Sequence, residues 1–165
     1  MATENGYLRI GYAWAQFRLA ETESRTIREH RGAEILTCAG VGCPLCIAGG
    51  WAPRYRLMRV FDRETDQVEI LKANDALVSA LRGAQMKLTL QDYLSDHELV
   101  VRMKRGKSDL EVKIRGAVSS NRKERDAELL AGSTINLDNC IRAVDWTALR
   151  VAAAARDASR GVLVG

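Results

Sequence analysis

The run His97-Glu-Leu-Val-Val-Arg-Met103-Lys-Arg-Gly-Lys-Ser-Asp-Leu110-Glu-Val-Lys-Ile-Arg115 carries the cleanest two-residue alternation in the chain. Leu99, Val101 and Met103 fall on one face, and Leu110, Val112 and Ile114 share a face in turn. The polar Arg-Gly-Lys-Ser-Asp stretch between them supplies turn residues, so the pattern predicts two antiparallel strands between His97 and Val118. The same alternation sends Arg102 and Lys104, and across from them Lys113 and Arg115, to the opposite, exposed face. Residues 102–115 hold six basic side chains (Arg102, Lys104, Arg105, Lys107, Lys113, Arg115) against Asp109 and Glu111, a local excess of +4 that equals that of the whole chain.

Working outward toward the N-terminus, Trp51 to Phe61 is rich in Tyr, Leu, Met, Val and Phe. The polar Asp62-Arg-Glu-Thr-Asp-Gln67 follows, and then Val68 to Leu71, a strand, turn and strand that read as a β-hairpin. Arg54, Arg56, Arg59 and Arg63 are interleaved there with Tyr55 and Phe61, the mixture with which a single-stranded polynucleotide is held: cations track phosphates, and aromatic faces stack on unpaired bases. The competing reading is a solvated arginine face with the aromatics in the core. A first strand is expected within Tyr7–Leu19, while residues 21–34, with Ile27 their one large apolar side chain, read as a solvated connection. Asn74 is placed to cap a helix over about 75–81 that Gly83 stops. Asn121 with Glu124 resembles a capping box opening a charged helix that ends near Gly132. Asp145 starts a last helix toward Gly161, with Trp146, Leu149 and Ala153 as a strip available to the rest of the fold or to another subunit.

Cys38-Ala-Gly-Val-Gly-Cys43-Pro-Leu-Cys46-Ile-Ala-Gly-Gly50 is too rich in glycine for a regular helix or long strand and reads as a tight knuckle. Two residues between Cys43 and Cys46 let both sulfurs turn toward one ion, and three clustered cysteines with a distant Cys140 are unlike a disulfide framework. A third cysteine beside the pair also speaks against a simple redox Cys-x2-Cys or three packed hydrophobes. A tetrahedral zinc site needs a fourth ligand, for which His30 is nearest in sequence and His97 and Cys140 are the alternatives. With four protein ligands the metal is structural, since catalysis needs an open coordination position.

The composition bounds the answer. The chain has 165 residues, 47% of them hydrophobic and 28% charged, with 13 Gly and 2 Pro, which predicts a single globular domain over 1–165 and excludes two large ones. A net charge of +4 permits nucleic acid as a partner without requiring it. No apolar run is long enough to span a bilayer and the start lacks a secretory layout, so no membrane partner is expected and a cytoplasmic location is. With two histidines, no nucleophile-base arrangement, no phosphate loop and no dinucleotide fingerprint, the expectation is that the protein is not an enzyme. Asp62, Glu64 and Asp66 read as solvated turn residues.

The order His30, Cys38, Cys43-Pro44-Leu45-Cys46, followed by Arg56-Leu-Met-Arg-Val-Phe-Asp-Arg-Glu-Thr-Asp-Gln-Val-Glu-Ile-Leu71, resembles bacteriophage single-stranded-DNA-binding, helix-destabilising proteins. The resemblance covers about residues 30–72 well and the strands through Val118 in outline. It implies a mainly β, α+β fold: an OB-like five-stranded barrel over about 7–118, an inserted zinc knuckle at 30–50 and a C-terminal helical extension at 121–161. It implies that His30, Cys38, Cys43 and Cys46 hold a structural zinc ion, and that the Arg-rich strand and basic hairpin line a groove. The implied task is coating single-stranded DNA, or RNA, in phage replication, recombination or repair within the host cytoplasm. The C-terminal helix would be the place for homo-oligomer contacts or for replication and recombination proteins. The competing function is a zinc-stabilised subunit that docks onto a larger phage assembly without binding nucleic acid.

Overall fold

The computed structural model describes residues 7–20, 23–106 and 109–161. In chain order its elements are β1 (Tyr7–Leu8), β2 (Ala15–Leu19), β3 (Arg25–Arg31), β4 (Ile35–Thr37), α1 (Pro44–Ile47), β5 (Arg54–Asp62), β6 (Gln67–Asn74), α2 (Asp75–Gln85), β7 (His97–Met103), β8 (Leu110–Ala117), α3 (Ser120–Gly132) and α4 (Trp146–Gly161), with short 3₁₀ turns at Leu94–Asp96 and Asp138–Cys140. This is a mixed α+β protein. It divides into two compact units, Met1–Arg25 with Arg56–Leu137, and Thr26–Tyr55 with Asp138–Gly165. The C-terminal extension is thereby shared out, α3 to the first unit and α4 to the second.

The first unit is built on strands in the order β1-β6-β5-β2-β7-β8. The predicted alternation sets its register: Leu99 faces Ile114, Val101 faces Val112 and Met103 faces Leu110 across β7 and β8. Between β5 and β6 the chain reverses on Asp62, whose carboxylate accepts from the Glu64 and Thr65 amides and the Thr65 hydroxyl, and Asp66 takes the left-handed conformation at φ 55°. The inward faces close over one apolar cluster that includes Phe17, Met58, Val60, Leu71, Leu81, Leu99 and Val101.

Asn74 caps α2 as expected, its side chain accepting from the Leu77 amide at 2.9 Å. The helix does not stop at Gly83. It runs on to bury Ala84 and to place Gln85, which accepts from the Leu94 amide and donates to the Asp92 carbonyl. The α3 cap lies two residues before the expected Asn121: the Ser119 hydroxyl accepts from the Arg122 amide.

The expected five-stranded barrel is not closed. The β6 edge that closure would use is taken by β1, parallel to it with Tyr7 opposite Ile70 and Leu8 opposite Leu71. Past β1, the Gly11 carbonyl accepts from the Met103 amide at 2.7 Å. Helix α2 packs on both β6 and β8 and covers the interior where a ladder between those strands would have done so. Among the described residues β8 therefore has β7 as its sole strand partner. The single N-terminal strand expected within Tyr7–Leu19 is also split, with Tyr12 and Trp14 in the segment between β1 and β2.

In the second unit β3 and β4 form an antiparallel hairpin that sets Glu29 opposite Thr37 and His30 opposite Leu36. The solvated connection expected at 21–34 is instead largely strand, because this strand buries Glu29 and His30 along with Ile27, and a hydrophobicity pattern registers Ile27 alone. One helical turn, α1, opens with Pro44 at its first position, where the missing N–H costs nothing. Asp145 starts α4, accepting from the Ala148 amide at 2.9 Å. Leu149 and Ala153 of α4 bury against Cys43, Leu45 and Ala48, while Trp146 stays 46% exposed.

Candidate metal centre and nucleic-acid face

Four donors converge in the second unit. His30 projects from β3, Cys38 follows β4, Cys43 is the residue at which α1 begins and Cys46 lies within that helix. Their ligand atoms all lie within 4.8 Å of one another, a set compatible with a bound metal ion. Individual separations are 3.3 Å from His30 Nε2 to Cys43 Sγ, 3.6 Å from His30 Nε2 to Cys46 Sγ and 3.5 Å from Cys38 Sγ to Cys46 Sγ. A tetrahedron with metal–sulfur bonds of about 2.3 Å and a metal–nitrogen bond of about 2.0 Å has edges of roughly 3.5–3.8 Å. All four cysteines of the chain are free thiols. Gly40 and Gly42, at φ 76° and 78°, make the tight path between the first two sulfurs possible, and the Gly40 amide donates to Cys38 Sγ.

The second ring nitrogen of His30 orients the ring. Nδ1 lies 3.2 Å from the Trp51 carbonyl, which only accepts, so Nδ1 carries a proton and Nε2 is the nitrogen turned to the sulfurs, donating to a thiolate when protonated and offering its lone pair to a metal ion when not. Burial pushes the Cys43 thiol up, but backbone hydrogen bonds at Cys46, Ala39 and Leu45 and the His30 side chain outweigh it and bring it down to about 6. Cys46 moves the other way, to about 12, through burial and the proximity of Cys38 and Cys43. One anionic sulfur thus suppresses the next, and a divalent cation reverses that relation. The alternative ligands lie outside the cluster: His97 Nδ1 is 3.0 Å from the Tyr93 carbonyl, and Cys140 is a half-buried thiol pushed up by burial.

The proposed polynucleotide-binding residues fall into several environments. Arg54 is exposed at the start of β5, and Tyr55 is buried beneath the Arg31 guanidinium, 5.1 Å from the ring centre. Arg56 is half-buried, and Arg59 donates to the Ile135 carbonyl at 3.3 Å. Phe61 is 2% exposed, with Arg18 and Arg63 at 5.5 and 5.9 Å from its ring. Those two arginines are held by Asp126 of α3, which is fully buried and takes both Arg63 nitrogens at 2.6 and 2.8 Å and Arg18 at 2.8 Å. Neither Tyr55 nor Phe61 therefore offers a free ring face to a base.

The basic hairpin is more open. Arg102 pairs with Glu111 at 2.8 Å, Lys113 reaches the same carboxylate at 3.2 Å, and Arg115 donates to Gln16 at 3.0 Å. Lys104 and Arg105 are exposed in the turn, and Lys107 lies outside the described residues. Sequence reasoning missed the ring at the centre of this face. Trp14 lies 4.3 Å from the Arg102 guanidinium carbon and 4.7 Å from Lys113 Nζ, with 36% of its surface exposed. Only the pairing of β2 with β7 and of β7 with β8 brings these residues together, and no local pattern encodes it.

Comparison with protein-family models, with curated proteins and with solved structures yields no match for this chain. No helix among the described residues is long and apolar enough to cross a membrane.

Proposed function

We propose that this chain is a non-catalytic single-stranded-DNA-binding protein in which His30, Cys38, Cys43 and Cys46 hold a structural zinc ion. The observation that carries the reading is the exposed Trp14 indole set between Arg102 and Lys113 on the β2–β7–β8 face. A partly exposed indole with cations over its ring suits contact with an unpaired base and its phosphate. Glu111 takes up part of Arg102 and Lys113 and steadies them over the ring, which leaves Lys104, Arg105 and Arg115 for the backbone of the strand.

Two further features support it. The order β6-β5-β2-β7-β8, with α2 between β6 and β7, is the strand order and helix position of an OB barrel, here left open where β6 and β8 would meet. Three thiolates and one imidazole also form a closed set suited to zinc, with no coordination position left for a reacting water.

The test is quenching of tryptophan fluorescence by oligo(dT), by an RNA of equal length and by duplex, at 50 and 200 mM salt. About three phosphate contacts imply a slope near −2, or roughly fifteenfold weaker binding to single strands at the higher salt. Trp14→Ala removes one stacking partner and costs about 1–3 kcal/mol, roughly 5–150-fold in affinity. Salt-independent binding, an unchanged Trp14→Ala affinity or a preference for duplex contradicts the reading. No response at either salt favours the docking subunit.

A further inference from the structure

A cavity of about 210 Å³ opens in the first unit, away from the Trp14 face. Its walls include Met58 of β5 and Val78 and Leu81 of α2, and Arg56, Arg82 and Tyr93 also line it. Met58 and Leu81 are buried, Arg56 is half-buried, and Arg82 and Tyr93 are exposed, so the charges and the phenol stand toward the mouth and the apolar groups lie behind them. Gln85, which also lines it, is engaged by the Leu94 amide and the Asp92 carbonyl. Among the described residues no carboxylate lines the cavity, and neither Arg56 nor Arg82 has an acidic partner. A half-buried guanidinium against an apolar wall with no counter-charge is unfavourable alone and is relieved by a bound anion.

We infer that this cavity binds a nucleoside monophosphate group, its base against Met58, Val78 and Leu81 and its phosphate between Arg56 and Arg82. Three properties select that class. A phosphomonoester carries about −1.5 to −2 charges near neutral pH, which matches two guanidiniums where a carboxylate supplies half as much. Arginine forks pair with phosphate oxygens two at a time. The volume lies below the roughly 300–1,000 Å³ of pockets for drug-sized ligands, so one ring system fits and an extended chain does not. Tyr93, 60% exposed, can close over the base. The group arrives either as a free mononucleotide or as the phosphorylated end of a strand, and the second source rests on the proposed function.

The metal-loaded protein is titrated calorimetrically with thymidine monophosphate, thymidine, phenyl phosphate and inorganic phosphate. The expected result is thymidine monophosphate binding at least tenfold more tightly than each of the others. Arg56→Gln and Arg82→Gln should each erase the advantage over thymidine, and Tyr93→Ala, at an exposed position, should weaken the nucleotide at least fivefold. No saturable nucleotide binding, or thymidine or phenyl phosphate equalling the nucleotide, overturns the inference. Oligo(dT) with a 5′-phosphate, a 3′-phosphate or neither then separates the sources. A gain of fivefold or more from one end phosphate, lost in Arg56→Gln, assigns the strand end; equal strand affinities beside tight mononucleotide binding assign the free nucleotide. Trp14→Ala should weaken the unphosphorylated strand and leave the mononucleotide titration unchanged. A mononucleotide that binds where no strand does keeps the cavity and removes the strand-binding function.

Discussion

In the sheet unit twelve buried residues form one apolar cluster in which Phe17, Leu71, Leu99 and Val101 are wholly enclosed. In the knuckle unit the cluster around α1 and α4 is Cys43, Leu45, Ala48, Leu149 and Ala153, of which one is a candidate metal-ligand thiol and two are alanines. Burial of apolar area at about 25 cal/mol per Å² can hold the first together, whereas so small a core as the second leaves the ordering entropy of its loops uncompensated. Small modules of this kind are stapled by a metal or by disulfides, and the knuckle has the donors for the former. Polar ties add to it: Arg156 and Arg160 of α4 both donate to the Ala48 carbonyl, at 3.2 and 3.1 Å, and Thr37 donates to the Arg142 carbonyl at 2.9 Å.

The largest expected effect is therefore removal of the proposed zinc ion. Metal binding to small structural sites is worth about 10–16 kcal/mol. Chelation, or Cys43→Ser, should expose residues 26–55 and 138–161 to protease while amides of β5, β7 and β8 keep their protection from hydrogen exchange. Simultaneous loss of protection in both units would break the contrast. Metal affinity should also fall as pH falls, because the thiols must lose their protons to bind.

Next in size is Asp126→Ala, which takes the buried carboxylate from Arg18 and leaves Arg63 with Glu98 alone, and should cost the sheet about 3 kcal/mol in a denaturant titration. Metal affinity should stay within twofold of its starting value. Burial pushes the Asp126 carboxyl up, but Arg63 and Arg18 outweigh it and hold it below the usual carboxylate range. A depressed folded-state pKa gives stability that is present above the ordinary carboxylate pKa and disappears as pH drops through the folded value. Acid unfolding of the sheet should accordingly be shallower in Asp126→Asn than in the parent.

The smallest effect sharpens the contrast from the other side. Asn74→Ala deletes the α2 cap and should lower sheet stability by about 1 kcal/mol, with no change at the metal centre. A loss several times larger would show that α2 does more to cover the open side of the sheet than its cap suggests.

The two units also differ in how far the sequence discloses them. The hairpins β5–β6 and β7–β8, the Asn74 cap, the α4 start at Asp145 and the grouping of His30 with three cysteines are legible because each depends on residues near one another in the chain. Strand β3 is not, since its buried side chains include a glutamate and a histidine that the alternation scores as surface. The open barrel is not legible either, because two residues of β1 decide it by occupying the β6 edge. Phe61 looks like a stacking residue until α3, more than fifty positions later, supplies Asp126 to draw arginines over it. Trp14 is the converse, an aromatic expected only as part of a first strand that acquires its cations from Arg102 and Lys113, 88 and 99 positions further along the chain.

The unfinished rim of the sheet bears on how copies of this chain would meet. β8 keeps a row of backbone groups that could recruit a neighbour, yet Lys113 and Arg115 stand along it, and a second molecule approaching in the same way would meet its own positive charges. Neighbours are thereby steered away from fusing into a continuous ribbon.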